Sequence, residues 1–184
     1  MFLFNSSFSL FPSVDPLVRS TNTGLVRGFD SYFRTADSPR LYHVRAWLGI
    51  PFAKPPIGTR RFKAPEPIDP WTGIFNATKL PATCWQTEQI VYHLEAEKIW
   101  SSNTNCSEDC LYLNIWVPVT SSRSTAPMAV LIWIYGGAFV TGSSTLDLYD
   151  GRVLAATNNV IVVSMQYRLQ SFGFLFLDRF EAPG

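Results

Sequence analysis

Three short apolar runs constrain this chain more than anything else in it: LYLNIWVP (111–118), MAVLIWIYG (128–136) and VIVVSMQY (160–167). Each has the length of a strand and little alternation of apolar with polar residues, the pattern of strands buried on both faces. Between the last two, LYDGRVLAATNN (148–159) reads as a short helix with Asp147 or Asp150 as its N-cap. Strands of this kind joined by helices predict an α/β sheet whose two faces both need cover. One short helix cannot cover both, so these residues read as part of a larger fold. Composition agrees with a packed core: 47% of the 184 residues are hydrophobic and 16% are charged, which argues against disorder. The net charge of +1, with no cluster of Lys or Arg, gives no electrostatic footprint for a nucleic-acid partner.

Upstream, LVRGFDSYF and RLYHVRAWLGIPF predict two strands separated by the turn-like RTADSP. The following stretch, PFAKPPIGTRRFKAPEPIDPW (51–71), is too rich in proline for a helix or a central strand and reads as a packed irregular loop. Residues 77–110 are polar, loop-like and bracketed by cysteines. Residues 1–23 show no clear period, and the apolar, Ser-rich start MFLFNSSFSLFPS lacks a basic leader segment; it is either a degraded secretory signal or a structureless extension. The longest apolar run, Met128 to Val140, is broken by glycines and too short to span a bilayer. The three cysteines, Cys84, Cys106 and Cys110, leave one thiol over if two pair. Together with the acceptor sequons at Asn76 and Asn105 they lean towards secretion. No motif calls for a cofactor or a metal, and no reading of assembly follows.

The second apolar run ends in an unusual way, as WIYGGAFVTG (133–142). Gly-Gly after a strand most often means a tight turn. It also bares backbone N–H groups, and two amides aimed at one point can stabilise the oxygen of a tetrahedral intermediate.

The flanking residues favour the second meaning. SEDCLYLNIW (107–116), WIYGGAFVTGSSTLDLYDG (133–151) and VIVVSMQYRLQSFGFL (160–175), in this order and spacing, resemble the type-B carboxylesterase/cholinesterase family. LGIPFAKPPIGTRRFKAPEP (48–67) matches an N-terminal block of the same family, so the resemblance covers about residues 24–184, as one incomplete domain. It implies an α/β-hydrolase fold, here the N-terminal part of its central mixed sheet. It also implies secretion, and ester hydrolysis by a Ser-Glu-His triad. Within the glycine stretch, which begins at Gly136, the positions of Gly137 and Ala138 match the family's oxyanion-hole donors. The third donor follows a serine in G-x-S-x-G. No such motif occurs in this chain, since GSST at 142–145 lacks the second glycine. The acid and the histidine of the triad lie beyond residue 184 in the family, and neither His43 nor His93 matches; both read as packing or surface residues.

The resemblance implies further roles. Trp100, ten residues before Cys110, matches the tryptophan that receives the quaternary ammonium of choline in cholinesterases, a contact of about 2 kcal/mol when desolvated. Tyr149 matches the tyrosine behind it. The substrate expected is therefore a small ester, a choline ester by preference. Cys84 and Cys110 match a loop disulfide, which would stabilise by about 3–4 kcal/mol. Cys106 has no counterpart and stands as a competitor for Cys84. Arg61 and Glu108 match a buried structural ion pair that clamps the loop. Three kinds of departure stand out. Ala138 replaces a glycine and is expected to sit at an unstrained, negative φ. Gln170 replaces another, its φ left open. Thr87, Gln89 and Val140 stand where relatives with a peripheral cation site carry aromatic or acidic residues, which weakens such a site. Besides an esterase, two readings stay open: a non-catalytic adhesion relative, which usually disrupts the oxyanion stretch, and a truncated product without a role of its own.

Overall fold

The computed structural model describes residues 15–87, 95–120, 127–178, 180 and 182. Its strands in chain order are β1 (Val18–Ser20), β2 (Leu25–Arg27), β3 (Phe29–Thr35), β4 (Ser38–Pro51), β5 (Ile74–Asn76), β6 (Thr83–Cys84), β7 (Cys106–Ser107), β8 (Tyr112–Pro118), β9 (Val130–Trp133) and β10 (Ile161–Met165). Helix α1 (Arg152–Asn158) precedes β10, and α2 (Gln170–Phe174) follows it. A mixed five-stranded sheet runs in the order β3-β4-β8-β10-β9, antiparallel except for the parallel β10–β9 pair. A smaller sheet, β1-β2-β5, and the two-stranded β6-β7 lie outside it.

The first expected strand is two. Its ladder breaks at Gly28, whose N–H donates to Leu17 O at 2.9 Å, so β2 joins the small sheet and β3 the large one. β1 falls within the stretch that shows no period in sequence; it is recruited by pairing with β2 through Val18↔Arg27 and Ser20↔Leu25. The turn between β3 and β4 shrinks to Ala36 and Asp37, because the chain on either side satisfies its backbone groups in the ladder. β4 slips register between Trp47 and Ile50; there the N–H of Leu48 turns to Ala77 O and that of Gly49 to Asn114 Oδ1.

Alternation along the sheet builds two cores. Val26, Trp47, Ile50, Leu113 and Ile115 pack on one face, between the two sheets. Val44, Ala46, Trp116, Ala155 and Val162 pack on the other, under α1. That helix approaches closely because Gly151 stands at its start: a Cβ there would lie 2.6 Å from the Trp116 ring and 2.8 Å from Val162. Its N-cap is therefore Gly151 rather than Asp147 or Asp150, though Asp150 Oδ1 still accepts the N–H of Arg152 at 3.0 Å. Among the described residues no helix is long and apolar enough to cross a membrane.

β8 is largely buried, whereas every residue of β9 is exposed. Among the described residues β9 is the last strand of the sheet and pairs with β10 alone. Its apolar residues are thus the part of the sheet that still needs the cover expected of a larger fold.

Candidate active site

β9 delivers the chain into the Gly136–Gly142 turn, and a tyrosine pair fixes where the turn begins. Tyr135 and Tyr167 stack at 4.4 Å, and each hydroxyl donates to the other's carbonyl, at 3.0 Å and 2.7 Å. Burial raises the pKa of both phenols above the ordinary tyrosine value. They therefore stay neutral, as donors must.

The turn itself is tight. Gly137 O accepts the N–H groups of Val140 and Thr141, at 3.0 and 3.1 Å. Gly137 has φ +138°, and a Cβ on it would lie 1.9 Å from Thr141 O, so only glycine fits. Ala138 and Phe139 follow at φ +53° and +62°. The expected unstrained geometry at Ala138 is thus corrected: two successive residues with side chains occupy the left-handed region, at a cost of about 1–3 kcal/mol each. Gln170 is left-handed as well, at φ +51°. Among the described residues nothing accepts the N–H of Gly136, Gly137 or Ala138, so these amides remain available to an anion.

Two glutamines hold this strained turn in place. From one side, Gln170 donates its backbone N–H to Phe139 O at 2.8 Å and its side-chain amide to Val140 O at 3.1 Å. From the other, Gln86 Oε1 accepts from Gly142 N and from Thr141 Oγ1, both at 2.8 Å, while its Nε2 donates to Gly142 O at 2.8 Å and Cys84 O at 3.1 Å. Gln86 is buried, so these bonds are made away from bulk water. It sits two residues after Cys84, whose disulfide to Cys110 closes the loop; Cys106 remains a free thiol, 3.8 Å from Ser102 Oγ.

Trp100 ends a 3-10 turn (Glu95–Trp100) and meets the Tyr149 ring edge-on at 6.5 Å; on its other side Tyr149 lies 5.1 Å from the Trp133 ring. The three rings make one aromatic wall, which starts at the strand end that leads into the glycine turn. Trp100 is 57% exposed and so free to receive a ligand. Asn103 joins the two loops that carry the wall. Its Nδ2 donates to Thr145 O (2.7 Å) and Asp147 Oδ1 (3.2 Å), and its Oδ1 accepts from Thr145 Oγ1 at 2.7 Å. Beneath lies a buried polar network. Thr83, Ser143 and Thr145 share hydroxyl bonds, Gln166 Nε2 donates to Ser143 Oγ at 2.8 Å, and Asn114 Nδ2 donates to Ser164 Oγ at 3.1 Å.

Arg61 and Glu108 form a fork-to-fork pair, both bonds at 2.5 Å, which raises the Arg61 pKa through the hydrogen bond to Glu108. The pair is not buried as expected: the two side chains are 43% and 21% exposed, because it clips the proline-rich loop to the cysteine loop from outside. Asn76 and Asn105 are both exposed, as acceptor sites require. His43 is remote from the turn, on the β3–β4 hairpin, where its Nε2 meets Asp30 Oδ1 at 2.5 Å and its ring stacks on Tyr32. Gln89 and His93 lie outside the described residues. Thr87 is exposed and Val140 half-buried, with no aromatic ring in either place.

Sequence reasoning named the turn, the aromatic pair and the cysteines, and it passed over Gln86, Asn103 and Gln166. The available signal was the density of amide and hydroxyl side chains in TCWQ, SSNTN and TGSST, which an apolar core tolerates only as a network. Chemically the arrangement offers strained, unpaired backbone donors beside an exposed aromatic wall.

Comparison with known proteins gives this geometry a family context. The model of the carboxylesterase family matches residues 15–184. Over 189 residues the chain is 51% identical to an acetylcholinesterase of Leptinotarsa decemlineata, covering 92% of this chain and 29% of that protein. It is 46% identical over 186 residues to an acetylcholinesterase of Danio rerio, covering 100% of this chain and 28% of the relative. The corresponding protein of Electrophorus electricus is 51% identical over 148 residues, 79% of this chain and 23% of its own. The chain thus spans less than a third of the length of the curated relatives it matches.

Proposed function

This chain belongs to the carboxylesterase family, and on that premise we propose that it forms the donor half of a cholinesterase-type active site in a secreted ester hydrolase. In this reading residues 24–184 are the N-terminal part of an α/β-hydrolase domain. The observation that carries the reading is the strained turn with unpaired amides at Gly137 and Ala138. When a serine hydroxyl adds to the acyl carbon of an ester, its proton passes to a histidine and the carbonyl electron pair moves onto oxygen. Gly137 and Ala138 then donate to that oxyanion, each donor lowering the barrier by about 3–4 kcal/mol. A turn already held left-handed by Gln86 and Gln170 needs no reorganisation at that moment. The serine, the histidine and the acid belong to the family's triad, and these residues contain no G-x-S-x-G serine.

Trp100, backed by Tyr149, receives the leaving group, a choline or related cation. The exposed sequons at Asn76 and Asn105 and the Cys84–Cys110 disulfide fit secretion. The undisrupted Gly136-Gly137-Ala138 stretch favours a hydrolase over an adhesion relative. Titrating the chain with choline and with its uncharged tert-butyl analogue tests the cation site. Because Trp100 is 57% exposed, the cation–π contribution is about 1 kcal/mol, so choline should bind about fivefold more tightly than the analogue. Trp100→Ala should erase that preference. Equal binding of the two ligands to the unmodified chain would sink the assignment.

A further inference from the structure

Away from the glycine turn, a cavity of about 320 Å³ lies between the small sheet and the main one. Its floor is apolar: Trp47 from β4, Ile115 and Val117 from β8, and Met128 just before β9. Two arginines stand in its wall, Arg19 from β1 and Arg45 from β4. Arg19 donates one Nη1 bond to its neighbour's carbonyl, Val18 O at 2.9 Å, and its guanidinium lies 5.5 Å over the Trp47 ring. Among the described residues no carboxylate comes within ion-pair distance of it, since Asp15 pairs with Arg27 at 3.1 Å. Arg45 has only a share of one carboxylate. Its Nε stands 3.4 Å from Asp30 Oδ1, the same oxygen that meets His43 Nε2 at 2.5 Å. The cavity therefore joins two incompletely paired arginines to a largely apolar wall.

We propose that this cavity binds a small monocarboxylate with an unbranched apolar tail, its carboxylate between Arg19 and Arg45 and its tail against Trp47, Ile115, Val117 and Met128. Burial, and next the like charge of Arg45, lower the pKa of Arg19, and the more distant charge of Asp15 opposes them only in part. A carboxylate answers both effects, because the guanidinium fork matches its two oxygens. An apolar tail answers Trp47, Ile115, Val117 and Met128, which make most of the remaining wall beside Thr21 and Thr120. A purely hydrophobic ligand would leave the arginines as they are, and a bare anion would leave the cavity unfilled.

Octanoate is the probe, titrated into the intact 184-residue chain by calorimetry. The indole N–H resonance of Trp47, bonded to Leu17 O at 3.0 Å, serves as the local reporter. One equivalent should bind and shift that resonance, more weakly as salt rises. Acetate and octanol should each bind at least about tenfold more weakly, since each keeps one half of the interaction. Arg19→Gln should weaken octanoate about tenfold, and Val117→Phe should block the tail. Octanol binding as tightly as octanoate, an Arg19→Gln chain with unchanged affinity, or an unmoved Trp47 resonance would each overturn the proposal. Should Val117→Phe fail to fold, Arg19→Gln and the two comparison ligands still decide it.

Discussion

Replacing Gln86 by alanine should release the glycine turn without touching a residue of the turn itself. The side chain makes four hydrogen bonds: to Gly142 N, Gly142 O, Thr141 Oγ1 and Cys84 O. At a net value of about 1 kcal/mol for each bond, the sum is about 4 kcal/mol. Thr141 and Gly142 are half-buried, so water can replace part of the set after truncation. A loss of about 2–3 kcal/mol remains, with the Gly142 backbone groups the worst served. The strain at Ala138 and Phe139 is relieved once the turn opens, so it lowers the cost of local opening and does not enlarge the global loss. Two measurements read the effect. Chemical denaturation gives the global loss, and amide hydrogen exchange at Val140 and Thr141, whose N–H groups bond to Gly137 O, gives the local one. Opening at 2–3 kcal/mol lower free energy means exchange about 30- to 150-fold faster at those two amides. Gln86→Glu retains the Oε1 acceptor and loses the Nε2 donor, so it should fall between the parent and Gln86→Ala. A midpoint shifted by less than about 0.5 kcal/mol, with exchange at Val140 and Thr141 unchanged, would refute the view that Gln86 positions the turn.

The remaining predictions concern chemistry, charge and backbone. The chain on its own should not hydrolyse a thiocholine ester above background, because it contains no G-x-S-x-G nucleophile; turnover abolished by a serine-directed phosphonate would contradict this. Tyr112 is raised to about 12, first by burial and then by the charge and hydrogen bond of Asp109. Its unfolded value is near 10, so between those values the native state holds a proton that the unfolded state has lost. Stability should therefore fall as pH climbs from about 10 towards 12, and less steeply in Tyr112→Phe, as denaturation at stepped pH would report. Ala138→Val should destabilise by about 1–2 kcal/mol, since a β-branched residue at φ +53° is worse than alanine; equal denaturation midpoints would show that the turn relaxes.

The legible part of the fold was the part encoded locally. Strand length and low alternation found β8, β9 and β10, and the pattern of LYDGRVLAATNN found α1. The misjudged features depend on neighbours. β9 has the composition of a buried strand, and among the described residues it has a neighbour on one side only, so its burial depends on chain that VLIW does not encode. Helix α1 takes Gly151 as its N-cap because Trp116 and Val162 stand under it, so close approach outweighed the capping preference of Asp150. Arg61 and Glu108 meet at the surface, where their exposure depends on how two loops dock.

At the candidate site the division is the same. Covalent and local chemistry set which residues are available: bare backbone at Gly136-Gly137, three cysteines, and aromatic side chains at positions 100, 133 and 149. Tertiary contacts set their state. Ala138 and Phe139 are left-handed because Gln86 and Gln170, distant in sequence, supply hydrogen bonds that offset the strain. Tyr149 meets Trp100 because Asn103 ties two loops across 42 positions of chain. Local helix or strand propensity is worth about a kilocalorie or less at each residue. A buried, fully bonded amide exceeds that, so the sequence by itself determined the strands and the supply of donors, and the packing of remote segments decided the geometry in which they are held.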